Sequence, residues 1–208
     1  MHIKLNSLIA RKSKLDKNKE RKIFKYPILS PIKENYKYTL ILDLDETLIY
    51  LQNKESTETL ILRPNIHEFL HEMKSIYELI IFSENSINYV GPILDIIQQK
   101  EKCFDHVLCQ EYITLDKKGQ EIKDLNLLGR DLKNLIVVDN MKQYYKNADN
   151  LICIKSFFGD ANNDKKTLKL LGNFLKEIKL DSEKTGDIRI SINNLKYKLY
   201  PKVINTVN

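Results

Sequence analysis

Cysteine is scarce in this sequence, and its spacing shows no signature of a metal or disulfide site. The three cysteines, Cys103, Cys109 and Cys153, are odd in number and form no Cys-x-x-Cys pair. This argues against a disulfide framework or a zinc knuckle and is typical of a reducing compartment. None begins a Cys-x5-Arg phosphate loop, so a cysteine-based phosphatase is disfavoured as well. We expect all three side chains to fill core positions.

Long apolar segments are lacking too. No apolar run approaches the ~20 residues that a membrane-spanning helix needs. The basic N-terminus has no apolar core of the kind that a signal peptide requires, and there is no internal repeat. We therefore expect a soluble, monomeric, intracellular protein, either nuclear or cytoplasmic.

The composition suits one folded domain with tails. The chain has 208 residues, 42% of them hydrophobic, which is enough for a sizeable core. Residues 1–37 hold 11 Lys or Arg and 3 Asp or Glu, a net charge of +8; the whole chain carries +6, which leaves −2 for the rest. We divide the chain into a basic arm (1–37), a domain (38–180) and a C-terminal extension (181–208). The arm could contact nucleic acid or an acidic partner, or be a solvated leader that binds neither.

Short apolar runs alternate with helical patterns in the domain. The runs are continuous, which indicates strands covered on both faces, as in a parallel sheet. They are residues 39–42, 78–82, 134–138 and 151–154. Helical spacing is found at residues 66–77, 87–99 and 165–179, with Asn65 placed to cap the first helix. The alternation predicts a doubly wound α/β domain, with a mostly parallel central sheet and helices on both faces.

Two segments depart from this alternation. Residues 112–125 are predicted to form a hairpin that turns at Lys117-Lys118-Gly119 and is inserted between two α/β units. Residues 187–192, with the sequence DIRISI, alternate in polarity, and we expect them to add an edge strand or to stay irregular.

Side chains suited to chemistry follow the ends of the predicted strands. They are Asp43 and Asp45 after the first strand, Ser83 after the second, Lys123 at the exit of the hairpin, and Asp139 with Asn140 after the third strand. Ligands in open α/β sheets bind beyond the carboxyl ends of the strands, so we expect these segments to meet at one edge.

This set of groups matches phosphoryl transfer. Clustered carboxylates repel one another and need a cation, and an all-oxygen ligand set favours Mg2+, which also binds substrate phosphate. Ser83 and Lys123 can hold the other phosphate oxygens. Asp43 is placed to attack phosphorus and form an aspartyl phosphate, and Asp45 to serve as general acid and then as general base. A lone Asp-x-Asp is more often a turn, but the matching residues at later strand ends favour a catalytic site.

The motifs resemble those of a known family. In chain order they are LDLDETLI (42–49), RPNIHEFL (63–70), YELIIFS (77–83), IKDLNLLGRDL (122–132) and IVVDN (136–140). They resemble the haloacid dehalogenase superfamily, and within it the phosphatases of the RNA polymerase II C-terminal-domain type, often called NLI-interacting-factor-like. The likeness covers roughly residues 38–178. It implies a Mg2+-dependent phosphatase that acts on phosphoserine or phosphothreonine in proteins.

The resemblance also implies individual roles. It makes Asp43 the nucleophile and a metal ligand, and Asp45 the general acid and base with its backbone carbonyl on Mg2+. It assigns phosphate binding and support of the phosphate loop to Thr47, Ser83 and Lys123. It assigns completion of the metal site to Asp139 with Asn140. The hairpin at 112–125 would face the substrate.

Several positions differ from the family pattern, and they concern the substrate rather than the catalytic core. Ser83 stands where the family often has threonine, and Met141-Lys142 stand where it often has Ser-Pro. Relatives often have an arginine near the position of Cys109. Glu84-Asn85 stand where small residues are usual, and an inward-pointing Glu84 would repel an acidic phosphopeptide. The polymerase tail is thus one candidate substrate among others.

Three rival interpretations remain. His67 to His71 reads HEFLH, formally a zinc-peptidase motif, but on a helical wheel both histidines fall outside the apolar stripe and are expected at the surface. A non-catalytic binding module of the same fold would not need the aspartates that are present here. A small-molecule phosphatase usually carries a large cap, whereas the only candidate cap here is a hairpin, which leaves the cleft open for a protein chain.

Overall fold

The computed structural model describes residues 2–5, 25–54, 57–146, 148–198 and 203. The strands, in chain order, are β1 (His2–Leu5), β2 (Tyr38–Leu42), β3 (Ile49–Lys54), β4 (Thr57–Leu62), β5 (Tyr77–Phe82), β6 (His106–Leu108), β7 (Thr114–Leu115), β8 (Glu121–Ile122), β9 (Leu135–Asp139) and β10 (Leu151–Cys153). The α-helices are α1 (Ile66–Lys74), α2 (Ile87–Ile97), α3 (Thr167–Thr185) and α4 (Ile188–Leu195). No helix in this described part is long and apolar enough to cross a membrane.

The central sheet has five parallel strands in the order β10-β9-β2-β5-β6. Every residue of β2, β5 and β9 is buried, as expected for strands that helices cover. From β2 the chain moves outward to β5 and β6, and it then returns to β9 and β10 on the other side. The predicted doubly wound α/β fold is therefore confirmed.

A second, three-stranded antiparallel sheet has the order β1-β4-β3. The hairpin β3–β4 fills the segment between Thr47 and Arg63, which the sequence analysis had not assigned to strands. Strand β1 comes from the segment assigned to the basic arm and pairs with β4, His2 opposite Ile61. Residues 6–24 of that arm lie outside the described residues, so the contacts of the arm with a partner stay a prediction.

The predicted hairpin insertion is present between β6 and β9. Strands β7 and β8 pair antiparallel, with Thr114 opposite Ile122. The turn is closed by Asp116, whose Oδ1 accepts backbone N–H bonds from Lys118 and Gln120, and Gly119 takes a positive φ of 75°. Glycine adopts that conformation without steric cost. The hairpin ends directly before Lys123.

Two local predictions were wrong. Asn65 does not cap α1 with its side chain; it has a left-handed backbone, and its Nδ2 donates to the carbonyl of Lys165 at 2.7 Å. Residues 187–192 form no strand but begin α4, which Asp187 caps by accepting from the N–H of Arg189. The buried residues of α4 are Ile188, Ser191 and Ile192, a helical spacing that the alternating pattern concealed.

The core residues follow the prediction more closely. Ile66, Phe69, Leu70 and Met73 form the buried face of α1. His71 lies on the outer face of this helix and pairs with Glu101 at 2.8 Å. All three cysteines are free and buried, which confirms their predicted core role.

Candidate active site

The ends of β2 and β9 bring Asp43 and Asp139 together. The two strands are parallel neighbours, and the backbone N–H of Asp43 donates to the carbonyl of Val138 at 3.0 Å. From this pair of strands the sheet extends in both directions, so the crevice beyond them is the switch point at which open α/β sheets bind ligands. Both carboxylates are buried there, with Asp43 6% and Asp139 0% exposed.

Lys123 links the two carboxylates. Its Nζ lies 2.8 Å from Asp43 Oδ1 and 2.6 Å from Asp139 Oδ2, and its side chain is buried. Lys123 directly follows the hairpin, and its backbone N–H donates to the carbonyl of Tyr144, in the segment after β9, at 2.9 Å. Burial lowers the pKa of Lys123, but the charges of Asp43 and Asp139 outweigh that effect and raise it. Lys123 is therefore a fixed positive charge in the site.

Asp43 lies in an excess of negative charge. Burial and the charge of Asp139 raise the pKa of Asp43 to about 8, against the opposing effect of Lys123. Two buried carboxylates share one ammonium group, so an added cation would favour the ionised form of Asp43.

Carboxylate oxygens such as those of Asp43 and Asp139 are ligands that suit Mg2+. Among the described residues, no group of three or more His, Cys, Asp and Glu side chains forms a metal-binding cluster. A cation held by Asp43 and Asp139 would therefore also need other oxygens. The backbone carbonyl of Asp45 and the side-chain amide of Asn140 follow the two carboxylates within two residues.

Aromatic residues surround Lys123 and orient Asp139. The Nζ atom lies 5.5 Å from the ring centroid of Tyr144, 5.7 Å from that of Tyr145 and 5.8 Å from that of Phe82. The hydroxyl of Tyr145 donates to Asp139 Oδ2 at 2.8 Å, which fixes the carboxylate. The two tyrosines were missed by the sequence analysis, although they lie close behind the Asp-Asn pair.

Asp45 is held by helix α2 and the turn before it. Its Oδ2 accepts from Asn85 Nδ2 at 2.8 Å, and its Oδ1 accepts from the hydroxyl of Tyr89. Burial raises the pKa of Asp45, these two hydrogen bonds lower it, and the charge of Glu84 raises it again; the net shift is upward. A carboxyl group with a raised pKa can hold a proton in mildly acid solution, which suits a general acid. Tyr89 lies on the buried face of α2, and nothing in the sequence indicates that its hydroxyl reaches the site.

Ser83, Thr47 and Asn140 complete the set of predicted residues. Ser83 is fully buried, and its Oγ accepts from the backbone N–H of Asn85 at 3.1 Å. The hydroxyl of Thr47 donates to Asn140 Oδ1 at 3.1 Å, and Asn140 Nδ2 donates to Ser156 Oγ at 2.9 Å. These bonds join the loops that follow β2, β9 and β10.

The loop after Asp45 turns tightly and returns to the core. Glu46 has a positive φ of 57°, and its N–H donates to the carbonyl of Ile49 at 2.7 Å. The N–H groups of Leu48 and Ile49 both donate to the carbonyl of Leu44, at 2.9 and 3.1 Å. This turn lets acidic residues at the strand end be followed at once by two fully buried side chains.

A cavity of about 770 Å3 lies away from this site, between β10 and α4. Its lining includes Lys142, Cys153, Phe174 and Ile192 but none of the predicted site residues. The candidate active site is thus identified by its chemistry and its place in the fold rather than by cavity size.

This chain is similar to known phosphatases. The family described as "NLI interacting factor-like phosphatase" matches residues 38–189. CTD small phosphatase-like protein 2 of Dictyostelium discoideum is 34% identical over 193 residues, which cover 84% of this chain and 32% of that protein. CTD small phosphatase-like protein 3 of Caenorhabditis elegans is 34% identical over 158 residues, which cover 68% of this chain and 54% of that protein. The chain thus spans about a third to a half of the length of these relatives.

A solved structure supports the fold alone. Fcp1, described as an essential RNA polymerase II CTD phosphatase, matches with a TM-score of 0.57 and 18% sequence identity. The alignment covers 77% of this chain and 71% of that chain.

Proposed function

This chain belongs to the NLI interacting factor-like phosphatase family, and we propose that it hydrolyses phosphoserine and phosphothreonine in proteins through a phosphorylated Asp43. The observation that carries this proposal is the buried ion triplet of Asp43, Lys123 and Asp139 at the switch point of the sheet. Phosphoryl transfer through an aspartate requires a nucleophilic carboxylate, a fixed positive charge and a bound cation. The triplet supplies the carboxylate and the ammonium group, and its surplus negative charge favours binding of a cation.

In the first half-reaction, a carboxylate oxygen of Asp43 attacks phosphorus. The bond between phosphorus and the serine or threonine oxygen breaks, and Asp45 gives its proton to that oxygen, so the product leaves as a neutral alcohol. Lys123 and the hydroxyl of Ser83 hold the phosphate oxygens while the negative charge shifts.

In the second half-reaction, water attacks the phosphorus of the aspartyl phosphate. Asp45, now ionised, takes a proton from that water, and the bond between phosphorus and the Asp43 oxygen breaks. Inorganic phosphate leaves, and both aspartates return to their starting states. Tyr89 and Asn85 keep the carboxylate of Asp45 in place in both halves.

We propose Mg2+ as the cofactor because of the surplus of buried carboxylate. When bound, it would supply the positive charge that lowers the pKa of Asp43 and keeps this nucleophile ionised. The ligands would be the carboxylates of Asp43 and Asp139, the amide oxygen of Asn140 and the backbone carbonyl of Asp45. Thr47 would orient Asn140 through the hydrogen bond between them.

A protein substrate is favoured by the small size of the insertion. The hairpin β7–β8 has strands of only two residues each, far less than a cap that encloses a small molecule. Two relatives are named CTD small phosphatase-like proteins, and Fcp1 is described as an RNA polymerase II CTD phosphatase. The polymerase tail is therefore one candidate, and as a substrate it would place this chain in the nucleus.

Hydrolysis of p-nitrophenyl phosphate in Mg2+ and in EDTA tests the proposal. We expect Mg2+-dependent turnover that falls by about a thousandfold or more in Asp43→Asn, because the nucleophile is lost, while the circular dichroism spectrum stays the same. Asp95→Asn, which changes an exposed carboxylate on α2, is the matched control and should keep native turnover.

The outcomes separate the alternatives. Full activity in Asp43→Asn would assign the nucleophile to another residue. Absence of turnover from the native chain with Mg2+ present would indicate a binding module instead. With activity established, a panel of phosphopeptides that includes the polymerase repeat identifies the substrate.

A further inference from the structure

Glu84 lies at the edge of the proposed phosphate site. It directly follows Ser83, is half-buried, and hydrogen-bonds with the hydroxyl of Tyr144. The next residue, Asn85, donates to Asp45 Oδ2 at 2.8 Å. Glu84 therefore lies between Ser83, which is proposed to bind phosphate, and Asn85, which holds the proposed general acid, and its carboxylate contacts Tyr144.

Tyr144 connects Glu84 to the phosphate-binding ammonium group. The centroid of the Tyr144 ring lies 5.5 Å from Lys123 Nζ. Burial raises the pKa of the Tyr144 hydroxyl, and the carboxylates of Glu84, Glu121 and Asp139 raise it further. Glu121 belongs to β8 and lies two residues before Lys123. Glu84 and Glu121 thus place two carboxylates around Tyr144, and we call this side of the phosphate site the anionic wall.

An anionic wall selects by charge among peptides that carry the same phosphate. Successive residues of an extended peptide lie about 3.3–3.6 Å apart, so the side chains next to a phosphoserine held at Lys123 come within reach of Glu84. An acidic neighbour would meet two carboxylates, whereas a lysine or arginine would be attracted to them.

We propose that Glu84, with help from Glu121, makes this site select phosphoserine or phosphothreonine flanked by lysine or arginine. The inference rests on the proposed phosphatase function and adds the class of peptide that the site accepts. Its physical basis is the charge of Glu84, not its hydrogen bond with Tyr144, and the two can be separated by substitution.

The test uses two phosphoserine peptides that differ only in having lysine or glutamate on both sides of the phosphoserine. For the native chain we expect kcat/KM to be about tenfold higher for the lysine peptide at low salt, with the ratio shrinking as salt is added. Glu84→Gln removes the charge and should bring the ratio close to one, and Glu84→Lys should invert it. The ratio is the useful quantity because any effect of Glu84 on Asp45 alters both peptides equally.

Tyr144→Phe is the matched control. It removes the hydroxyl that bonds to Glu84 but keeps the carboxylate, so the ratio should stay well above one. A ratio that collapses in Tyr144→Phe and persists in Glu84→Gln would assign the selectivity to the shape of the wall and overturn the inference.

The inference and the proposed function fail in different ways. A native chain that hydrolyses both peptides equally, or prefers the acidic one, remains a phosphatase but contradicts the role of Glu84. A chain that hydrolyses neither peptide nor p-nitrophenyl phosphate contradicts the proposed function. In that case the affinities of the two peptides, measured by fluorescence polarisation, still decide the inference, because equal affinity would overturn it.

Discussion

Arg63 is a charged side chain that is almost fully buried, at 1% exposure. Its Nη1 donates to the carbonyl of Thr47 at 2.8 Å, and its Nη2 donates to the carbonyl of Lys155 at 2.9 Å. Its Nε lies 2.5 Å from Asp164 Oδ2, and its Cζ lies 5.5 Å from the ring centroid of Phe157. The hydrogen bonds of Arg63 thus connect the loop after the proposed nucleophile with the segment after β10.

Asp164→Ala should destabilise the fold strongly. It leaves the Arg63 guanidinium group buried without its carboxylate, a loss that typically costs about 3–5 kcal/mol. Asp160→Ala changes a nearby exposed loop carboxylate and should cost under about 1 kcal/mol. Urea unfolding of the two variants measures the difference, and equal free energies of unfolding would show that the Arg63 pair contributes little.

At the scale of the elements, the segment before β2 packs closely against the backbone around Leu127 and Gly129. The N–H of Ile28 donates to the carbonyl of Leu127 at 2.9 Å. Gly129 has a positive φ of 72°, and a Cβ atom there would lie 2.3 Å from Pro27 Cβ. Glycine is required at this position both by its conformation and by its neighbour.

Gly129→Ala should therefore lower the free energy of unfolding by more than about 1 kcal/mol, from backbone strain and overpacking together. Gly91→Ala is the opposite case, because Gly91 lies inside α2 and a Cβ atom there would meet nothing within 4 Å. That substitution should stabilise the chain by up to about 1 kcal/mol through helix propensity. Denaturant midpoints that move in the same direction for both variants would contradict this account.

The elements that the sequence predicted are those whose local pattern and tertiary setting agree. Continuous apolar runs marked β2, β5 and β9 because both faces of these strands are covered. Strand β6 was missed because it has three residues, of which His106 and Val107 are only half-buried. Helix α4 was mistaken because a six-residue window cannot separate a period of two from one of 3.6.

The same reasoning applies to the site. Asp43, Lys123 and Asp139 were predictable as neighbours because the fold brings strand ends to one edge. Tyr89 and Tyr145 were not, because their hydroxyls reach the carboxylates only through the packing of α2 and of the segment after β9. The catalytic roles of all these residues are proposals that activity measurements must test.

At the scale of the whole molecule, the charge of the site would couple the proposed binding of Mg2+ to stability. In EDTA the folded-state pKa of Asp43, about 8, lies above the value near 4 of an unfolded aspartate. Asp43 then binds more protons in the folded chain than in the unfolded chain between about pH 4 and about pH 8, so the contribution of this group to stability falls as the pH rises through that window.

Mg2+ should reverse this loss. At a concentration one hundred times its dissociation constant, it would stabilise the folded chain by about 2.7 kcal/mol. We expect the melting temperature of the native chain at pH 7.5 to rise on adding Mg2+. The melting temperature of Asp43→Asn in EDTA should be higher than that of the native chain in EDTA, and it should change little when Mg2+ is added. A native melting temperature that ignores Mg2+ would contradict the proposed metal site.

Reductive trapping of the phosphorylated aspartate tests the central claim most directly. The Asp45→Asn variant is incubated with p-nitrophenyl phosphate and Mg2+ and then quenched with borohydride, which reduces an acyl phosphate to an alcohol. Because p-nitrophenolate leaves without needing a proton, this variant should still form the aspartyl phosphate, but it lacks the base that activates water. Peptide mass spectrometry should then find homoserine at position 43, and none in Asp43→Asn. Homoserine at another aspartate, or turnover of the native chain with no trapped residue in Asp45→Asn, would contradict a phosphorylated Asp43.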